Sequence, residues 1–139
     1  MGELFRFITA QDAVYSRVLQ ELKSGRKRSH WMWFIFPQLR GLGRSERSVY
    51  YGISDLREAV DYLENPVLGG RLRECAELLL RHTDKTAEEI MGVIDNEKLW
   101  SSMTLFALID RDDSVFRRVI DAFYEGKFDR NTEMLLGII

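Results

Sequence analysis

The sequence is poor in cysteine and proline and has no long apolar run. Its single cysteine, Cys75, cannot form an internal disulfide, which favours a reducing compartment. No apolar run approaches the roughly 20 residues that a membrane span requires, and residues 1–6 show no signal-peptide pattern. We therefore expect a cytoplasmic protein with no membrane contact, in which Cys75 is an inert core residue.

Several motifs of known chemistry are also missing. The two histidines, His30 and His82, are 52 positions apart and form no metal-binding spacing with the lone cysteine. There is no Gly-Lys-Ser/Thr phosphate loop, no dinucleotide glycine fingerprint and no Gly-x-Ser-x-Gly elbow. The sequence therefore predicts neither a metal site nor a cofactor.

A basic segment interrupts an otherwise acidic chain. The 139 residues, enough for one domain with its own core, carry a net charge of −2. Residues 23–47 contain seven cations and one anion, a charge of +6, so the rest carries −8. Such a segment suits an anionic partner, but its cations can equally pair with acidic helices of the same domain. The pI of about 5.7 argues against broad nucleic-acid binding.

Apolar residues recur at helical spacing along most of the chain, with no strong alternation to favour strands. This pattern predicts an all-α fold, a single-domain orthogonal bundle of about six to seven helices over residues 1–139, several of them short. The first helix is expected to start near Thr9 and to stop at Gly25, with Gln11 and Glu21 on its outer face.

Three later helix starts carry recognisable signals. Ser45 is a good N-cap, Thr86 with Glu89 fits a capping box, and Asp95 or Asn96 starts a helix. That last helix is nearly all apolar from Leu99 to Ile109, which predicts a buried central helix. Residues 30–36 form either a short helix that ends near Pro37 or, over residues 33–36, a short strand.

Two strings in this sequence are unusual enough to carry a family resemblance. They are Ser29-His30-Trp31-Met32-Trp33-Phe34-Ile35-Phe36-Pro37-Gln38-Leu39 and Asp95-Asn96-Glu97-Lys98-Leu99-Trp100-Ser101-Ser102-Met103-Thr104-Leu105-Phe106. Together with Gly41-Leu42-Gly43 and Pro66 to Leu72, they resemble the bacterial family called domain of unknown function eighteen-ten. The resemblance implies a mostly helical protein and no established activity.

Members of that family are often labelled calpastatin, after a calpain inhibitor. Inhibitory repeats of that kind are disordered and contain proline, whereas this chain is periodic, apolar and nearly free of proline. We therefore reject that label.

The first string and its flanking residues Lys27 and Arg40 hold the residue types that a nucleotide site needs. Histidine can transfer a proton near neutral pH, tryptophan offers a flat face, glutamine an amide edge, and lysine or arginine a phosphate contact. The candidate residues are Lys27, His30, Trp31, Trp33, Gln38 and Arg40. Alternatively, the aromatic side chains fill the core and His30 bonds a backbone carbonyl.

The second string places polar residues on an apolar helix. Lys98 and Ser102 are four residues apart and share a helix face, with Asp95 one turn earlier. A lysine beside a hydroxyl can hold a phosphate or activate the hydroxyl as a nucleophile. The candidate residues are Asp95, Lys98, Ser101, Ser102 and Thr104; alternatively, their hydroxyls bond carbonyls of the preceding turn.

Three functional hypotheses remain open at this point. In the first, the two strings form a site that binds an anionic ligand resembling a nucleotide or ADP-ribose, or hydrolyses it with His30, Lys98 and Ser102 as catalytic residues. In the second, residues 23–47 dock on an acidic protein or on nucleic acid without catalysis. In the third, both strings only hold the scaffold together.

Overall fold

Nine α-helices make up the fold of residues 2–139, the part of the chain that a computed structural model describes. They are α1 (Phe5–Ser24), α2 (Met32–Ile35), α3 (Glu46–Tyr50), α4 (Leu56–Glu64), α5 (Pro66–Leu79), α6 (Ala87–Met91), α7 (Asp95–Leu108), α8 (Val115–Phe123) and α9 (Arg130–Leu135). Two 3₁₀ turns, Gly2–Leu4 and Leu80–His82, accompany them. The predicted all-α class is confirmed; the helices exceed the expected six to seven because four of them have six residues or fewer.

Side-chain caps mark the helix starts that the sequence predicts. The Ser45 side chain accepts from the Ser48 amide, and Thr86 and Glu89 form the complete capping box. Helix α7 begins at Asp95. Helix α1 begins at Phe5 rather than near Thr9, because a 3₁₀ turn leads into it and no side chain caps it. The expected start was therefore wrong by about one turn.

The core is built around α7, as the sequence predicts. Its residues Leu99 and 101–107 are buried, and it packs against α4, α6, α8 and α9. On the other side of the core, α5 contacts α1, α4 and α8. Helices α4 and α5 approach so closely that a Cβ on Gly69 would lie 2.1 Å from the Leu63 carbonyl oxygen. Burial raises the pKa of the Cys75 thiol to about 12, which keeps it protonated and unreactive.

The segment after α1 is bonded to α6 and continues into α2. Gly25 ends α1 with a φ of 79°, and the Lys27 amide then donates to the Ile90 carbonyl of α6 at 2.8 Å. Residues 32–35 are helical, so the strand alternative for 33–36 is wrong. Extended pairing starts only at Leu39, which forms an isolated parallel bridge with Ile53.

Arg6 fixes the turn that leads to this bridge. Its side chain is 8% exposed and forms an ion pair with Glu58 at 3.2 Å. It also donates to the Tyr50 carbonyl at 2.7 Å and to the Gly52 carbonyl at 3.0 Å. The start of α1, the turn after α3 and the start of α4 are thereby held together.

Candidate functional site

A surface groove of about 430 Å³ brings together five of the eleven candidate residues that the sequence singles out. Its walls come from the loop after α1, from α2, from the turn between α6 and α7, and from the first turn of α7. The lining residues are Lys27, His30, Met32, Trp33, Met91, Gly92, Val93, Ile94, Asp95 and Lys98. The two strings, about 65 positions apart in the sequence, therefore meet in one groove.

Lys27 and Asp95 form the floor of this groove. The Lys27 ammonium lies 2.8 Å from Asp95 Oδ2, donates to the Ser29 carbonyl, and stands 4.9 Å from the centre of the Trp31 ring. Only 7% of the Lys27 side chain is exposed. This lysine therefore ties the loop to the start of α7, and its charge is largely matched by Asp95.

Glu21 holds the loop that carries His30. Its carboxylate accepts from the amides of Arg28 and Ser29 at 2.7 and 3.0 Å, from the Ser29 hydroxyl at 2.5 Å and from Trp31 Nε1 at 2.9 Å. Burial alone would raise the pKa of Glu21, but these four hydrogen bonds outweigh it and hold the pKa at about 2. The expectation that Glu21 lies on the outer face of the first helix was wrong.

Gln11 holds α2 in place, as Glu21 holds the loop before it. Its side chain is 1% exposed and donates to the Phe34 carbonyl at 2.7 Å and to the Tyr62 hydroxyl at 3.0 Å, while Arg71 donates to it at 3.3 Å. Gln11 was also expected on the outer face, and that expectation was wrong. Glu21 and Gln11 together fix the segment that forms one wall of the groove.

Trp33 is the central aromatic side chain of the groove. The Arg47 guanidinium lies 4.9 Å and the Lys98 ammonium 5.5 Å from the centre of its ring, so two cations contact one indole. Its Nε1 is buried and has no hydrogen-bond partner within residues 2–139. Trp33 thus orients Lys98 and Arg47 and retains an unused donor.

His30 is exposed and lines the groove, so a ligand there can reach its ring. The second histidine is engaged elsewhere: His82 Nε2 lies 2.9 Å from the Leu22 carbonyl. Of the alternatives left open for His30, a bond to a backbone carbonyl is not seen in the described part of the chain. His30 is therefore the histidine that can serve a ligand.

Other predicted site residues lie outside the groove. Trp31 is 1% exposed and hydrogen-bonded to Glu21. Arg40 donates to the Val49 carbonyl at 2.9 Å and lines a different cleft. Gln38 lines a small cavity beside the groove, together with Trp33 and Lys98.

The three hydroxyls of α7 are inside the protein. Ser101 donates to the Glu97 carbonyl at 3.2 Å and to Asp129 at 2.9 Å, and Thr104 accepts from the Asp129 amide at 3.0 Å. Ser102 is fully buried, and its hydroxyl has no partner within the described residues. These contacts support the structural interpretation of Ser101 and Thr104, and they leave Ser102 out of reach of a ligand.

The basic segment keeps most of its charge unpaired. Of its seven cations, only Lys27 has a carboxylate within 4.0 Å in the described chain. The other six, Lys23, Arg26, Arg28, Arg40, Arg44 and Arg47, form no ion pair there. Internal ion pairs therefore do not account for the cations of this segment.

Residues 2–139 contain no group of three or more His, Cys, Asp or Glu side chains arranged to hold a metal ion. None of their helices has both the length and the apolar character that crossing a membrane demands.

Comparison with known proteins gives one family and one closely similar structure. Residues 1–136 match the sequence model of a family described as "Protein of unknown function (DUF1810)". The crystal structure of the conserved hypothetical protein Rv1873 from Mycobacterium tuberculosis is 49% identical to this chain, with a TM-score of 0.95. The similarity covers 99% of this chain and 98% of that one. A search of curated proteins found no match.

Proposed function

The chain belongs to the DUF1810 family of proteins of unknown function, and we propose that its groove binds an anionic ligand that resembles a nucleotide or ADP-ribose. The observation that carries this proposal is the convergence of His30, Trp33 and Lys98 on one groove. These residues come from separate segments and are fixed by buried contacts behind them. Side chains that are held in position before a ligand arrives are typical of a binding site.

Charge supports an anionic ligand. The Lys98 ammonium lies against Trp33 and has no carboxylate within 4.0 Å in the described chain. Arg47 adds a second cation on the same ring. Phosphate oxygens are the natural partners of such groups, because a charged hydrogen bond is roughly twice as strong as a neutral one.

Shape and polarity support the nucleotide-like part of the ligand. Val93 and Ile94 are 65% and 71% exposed at the edge of the groove, beside Met91. Exposed apolar side chains next to cations suit a molecule with a flat ring at one end and a phosphate at the other. A volume of about 430 Å³ lies within the usual range of ligand sites, about 300–1,000 Å³.

The burial of Ser102 changes the catalytic roles that the sequence suggests for this site. A Ser102 nucleophile lacks access because its side chain is fully buried. Hydrolysis in this groove would have to use water, with the exposed His30 as the group that takes up its proton. Lys98 would then hold the phosphate.

Lys98→Ala is expected to remove at least 90% of the thermal stabilisation that ADP-ribose gives the wild type, because the phosphate loses its closest unpaired cation. The protein without ligand should melt within about 2 °C of wild type, since Lys98 has no carboxylate partner within residues 2–139. Lys23→Ala, which removes an exposed lysine from the basic segment, is the matched control and should keep the full stabilisation. Equal stabilisation of the Lys98 and Lys23 variants would refute the proposal.

The six unpaired cations favour one alternative, docking of residues 23–47 on an acidic protein or on nucleic acid. Such binding would depend on the number of cations and fall steeply with salt. Reversing the charge of Lys23, Arg26 and Arg28 would abolish it, whereas Lys98→Ala would leave it nearly intact. A titration at two salt concentrations with these variants separates the two functions.

A further inference from the structure

A small cavity opens beside the groove and shares three of its lining residues, Met32, Trp33 and Lys98. Its volume is about 10 Å³, which is room for about one water-sized atom. The remaining walls come from Phe36, Gln38, Ser48, Tyr51 and Gly52. Because three side chains line both spaces, the cavity and the groove are direct neighbours.

Trp33, which lines this cavity, has an indole N–H without an acceptor in the described chain. Its Nε1 atom is buried. An indole nitrogen can only donate, and a buried donor without an acceptor is destabilising. An acceptor atom of a bound molecule would remove that cost.

Two more polar side chains, Gln38 and Ser48, line the same cavity. Both also lie close to Gly43, since a Cβ built there would be 2.6 Å from Ser48 Oγ and 3.2 Å from Gln38 Nε2. Ser48 Oγ accepts from Ser45 Oγ at 2.9 Å, which leaves its own proton to donate. The Gln38 side chain makes no hydrogen bond to the described residues, so its amide is also available.

No carboxylate lines this cavity, and two cations lie close to Trp33 in its wall. Lys98 is part of its wall, and Arg47 lies 4.9 Å from the centre of the Trp33 ring. A site made of an indole N–H, an amide, a hydroxyl and an ammonium offers donors and positive charge. The matching occupant is a negatively charged oxygen.

The geometry points to this cavity as a subsite that takes one phosphate oxygen of the groove's ligand. This inference rests on the proposed function for the nature of the ligand, and the phosphate subsite can be tested without it. In the bound state Trp33 Nε1 and Lys98 both donate to that oxygen, and Gln38 donates from the opposite wall. The apolar part of the ligand lies outward, against Val93 and Ile94.

Gln38→Glu tests this subsite, because it replaces a donor with a negative charge at the same size. Isothermal titration with ADP-ribose is expected to show at least a tenfold weaker Kd for this variant. Gln20→Glu makes the same chemical change on the exposed face of α1 and should bind within twofold of wild type. Gln38→Leu, which removes the donor without adding charge, should weaken binding by at least fivefold. This variant replaces Gln38→Glu in the experiment if the glutamate variant does not fold.

Inorganic phosphate and adenosine separate this inference from the proposed function. Phosphate should stabilise the wild type and Gln20→Glu against heat, but it should not stabilise Gln38→Glu. Adenosine should bind all three of these proteins alike. If phosphate acts in this way while ADP-ribose binds none of them, the proposed ligand fails and the subsite stands. If both Gln38 variants bind phosphate and ADP-ribose as the wild type does, the subsite is refuted and the groove proposal survives. Failure of phosphate and ADP-ribose to bind the wild type would overturn both.

Discussion

Replacing Glu21 with alanine is expected to lower the free energy of unfolding by about 3 kcal/mol, the largest single effect in the site region. The carboxylate accepts four hydrogen bonds from the 28–31 loop, including that of Trp31 Nε1. Alanine leaves the Trp31 donor buried without a partner and removes the anchor of the loop. The groove then loses the wall that carries His30.

Thermal melting and urea unfolding measure this effect. A loss of about 3 kcal/mol should lower Tm by roughly 10 °C in a chain of this size. Glu21→Gln, which keeps the shape and one acceptor, should lose less than Glu21→Ala. Glu77→Ala removes a carboxylate from a pair that is about half exposed and should cost under about 1 kcal/mol. A Glu21→Ala protein as stable as Glu77→Ala would show that the hydrogen bonds of Glu21 do not hold the loop.

Acid should destabilise the wild type through the same carboxylate. The folded pKa of Glu21 is about 2, against an ordinary value of 4.5. Because the folded value is the lower one, the stabilisation is complete above about pH 4.5 and is lost as the pH falls towards 2. The shift corresponds to about 3 kcal/mol in full, of which about 2 kcal/mol is lost at pH 3.

Urea unfolding of wild type and Glu21→Gln at pH 6 and at pH 3 measures this contribution. The glutamine variant has no proton to gain at this position, so its stability should fall by about 2 kcal/mol less than that of the wild type. Other carboxylates, such as Glu58 beside Arg6, whose pKa is also lowered, titrate in both proteins and cancel in the difference. Parallel loss of stability in the two proteins would contradict the assigned role of Glu21.

The helical class and several helix boundaries follow from local sequence. The starts of α3 and α6 are set by Ser45 and by the Thr86–Glu89 box, whose side chains lie within three residues of the backbone they cap. The first functional hypothesis required His30 and Lys98 to meet, although the sequence alone could not establish that they do. Folding brings them together because the Lys27–Asp95 pair and the Lys27–Ile90 hydrogen bond join the loop to α6 and α7.

Glu21 and Gln11 show what local sequence leaves out. Both are polar residues on a helix with an apolar stripe, and polarity alone assigns them to the solvent. Their partners lie 7 to 10 positions away for Glu21 and 23 to 60 positions away for Gln11. Only the tertiary fold brings those donors and acceptors together, so no helical pattern reveals them.

Lys98 and Ser102 illustrate a second limit. Their spacing of four places them on one helix face, as predicted, yet only Lys98 reaches the groove. Helix α7 enters the core directly after its first turn, so Ser102 is enclosed. The long lysine side chain near the start extends along Trp33 instead. Spacing predicts a shared face, but burial decides which side chains a ligand can touch.

The three indole N–H signals of the protein give the most direct test of the groove as a ligand site. Trp33 Nε1 has no partner in the described chain, whereas Trp100 Nε1 donates to the Lys127 carbonyl at 2.7 Å and lies outside the groove lining. In a ¹H–¹⁵N titration with ADP-ribose, the Trp33 indole signal should shift progressively and saturate, while that of Trp100 stays in place. An unchanged Trp33 signal at saturating ligand, or equal shifts of Trp33 and Trp100, would contradict the account.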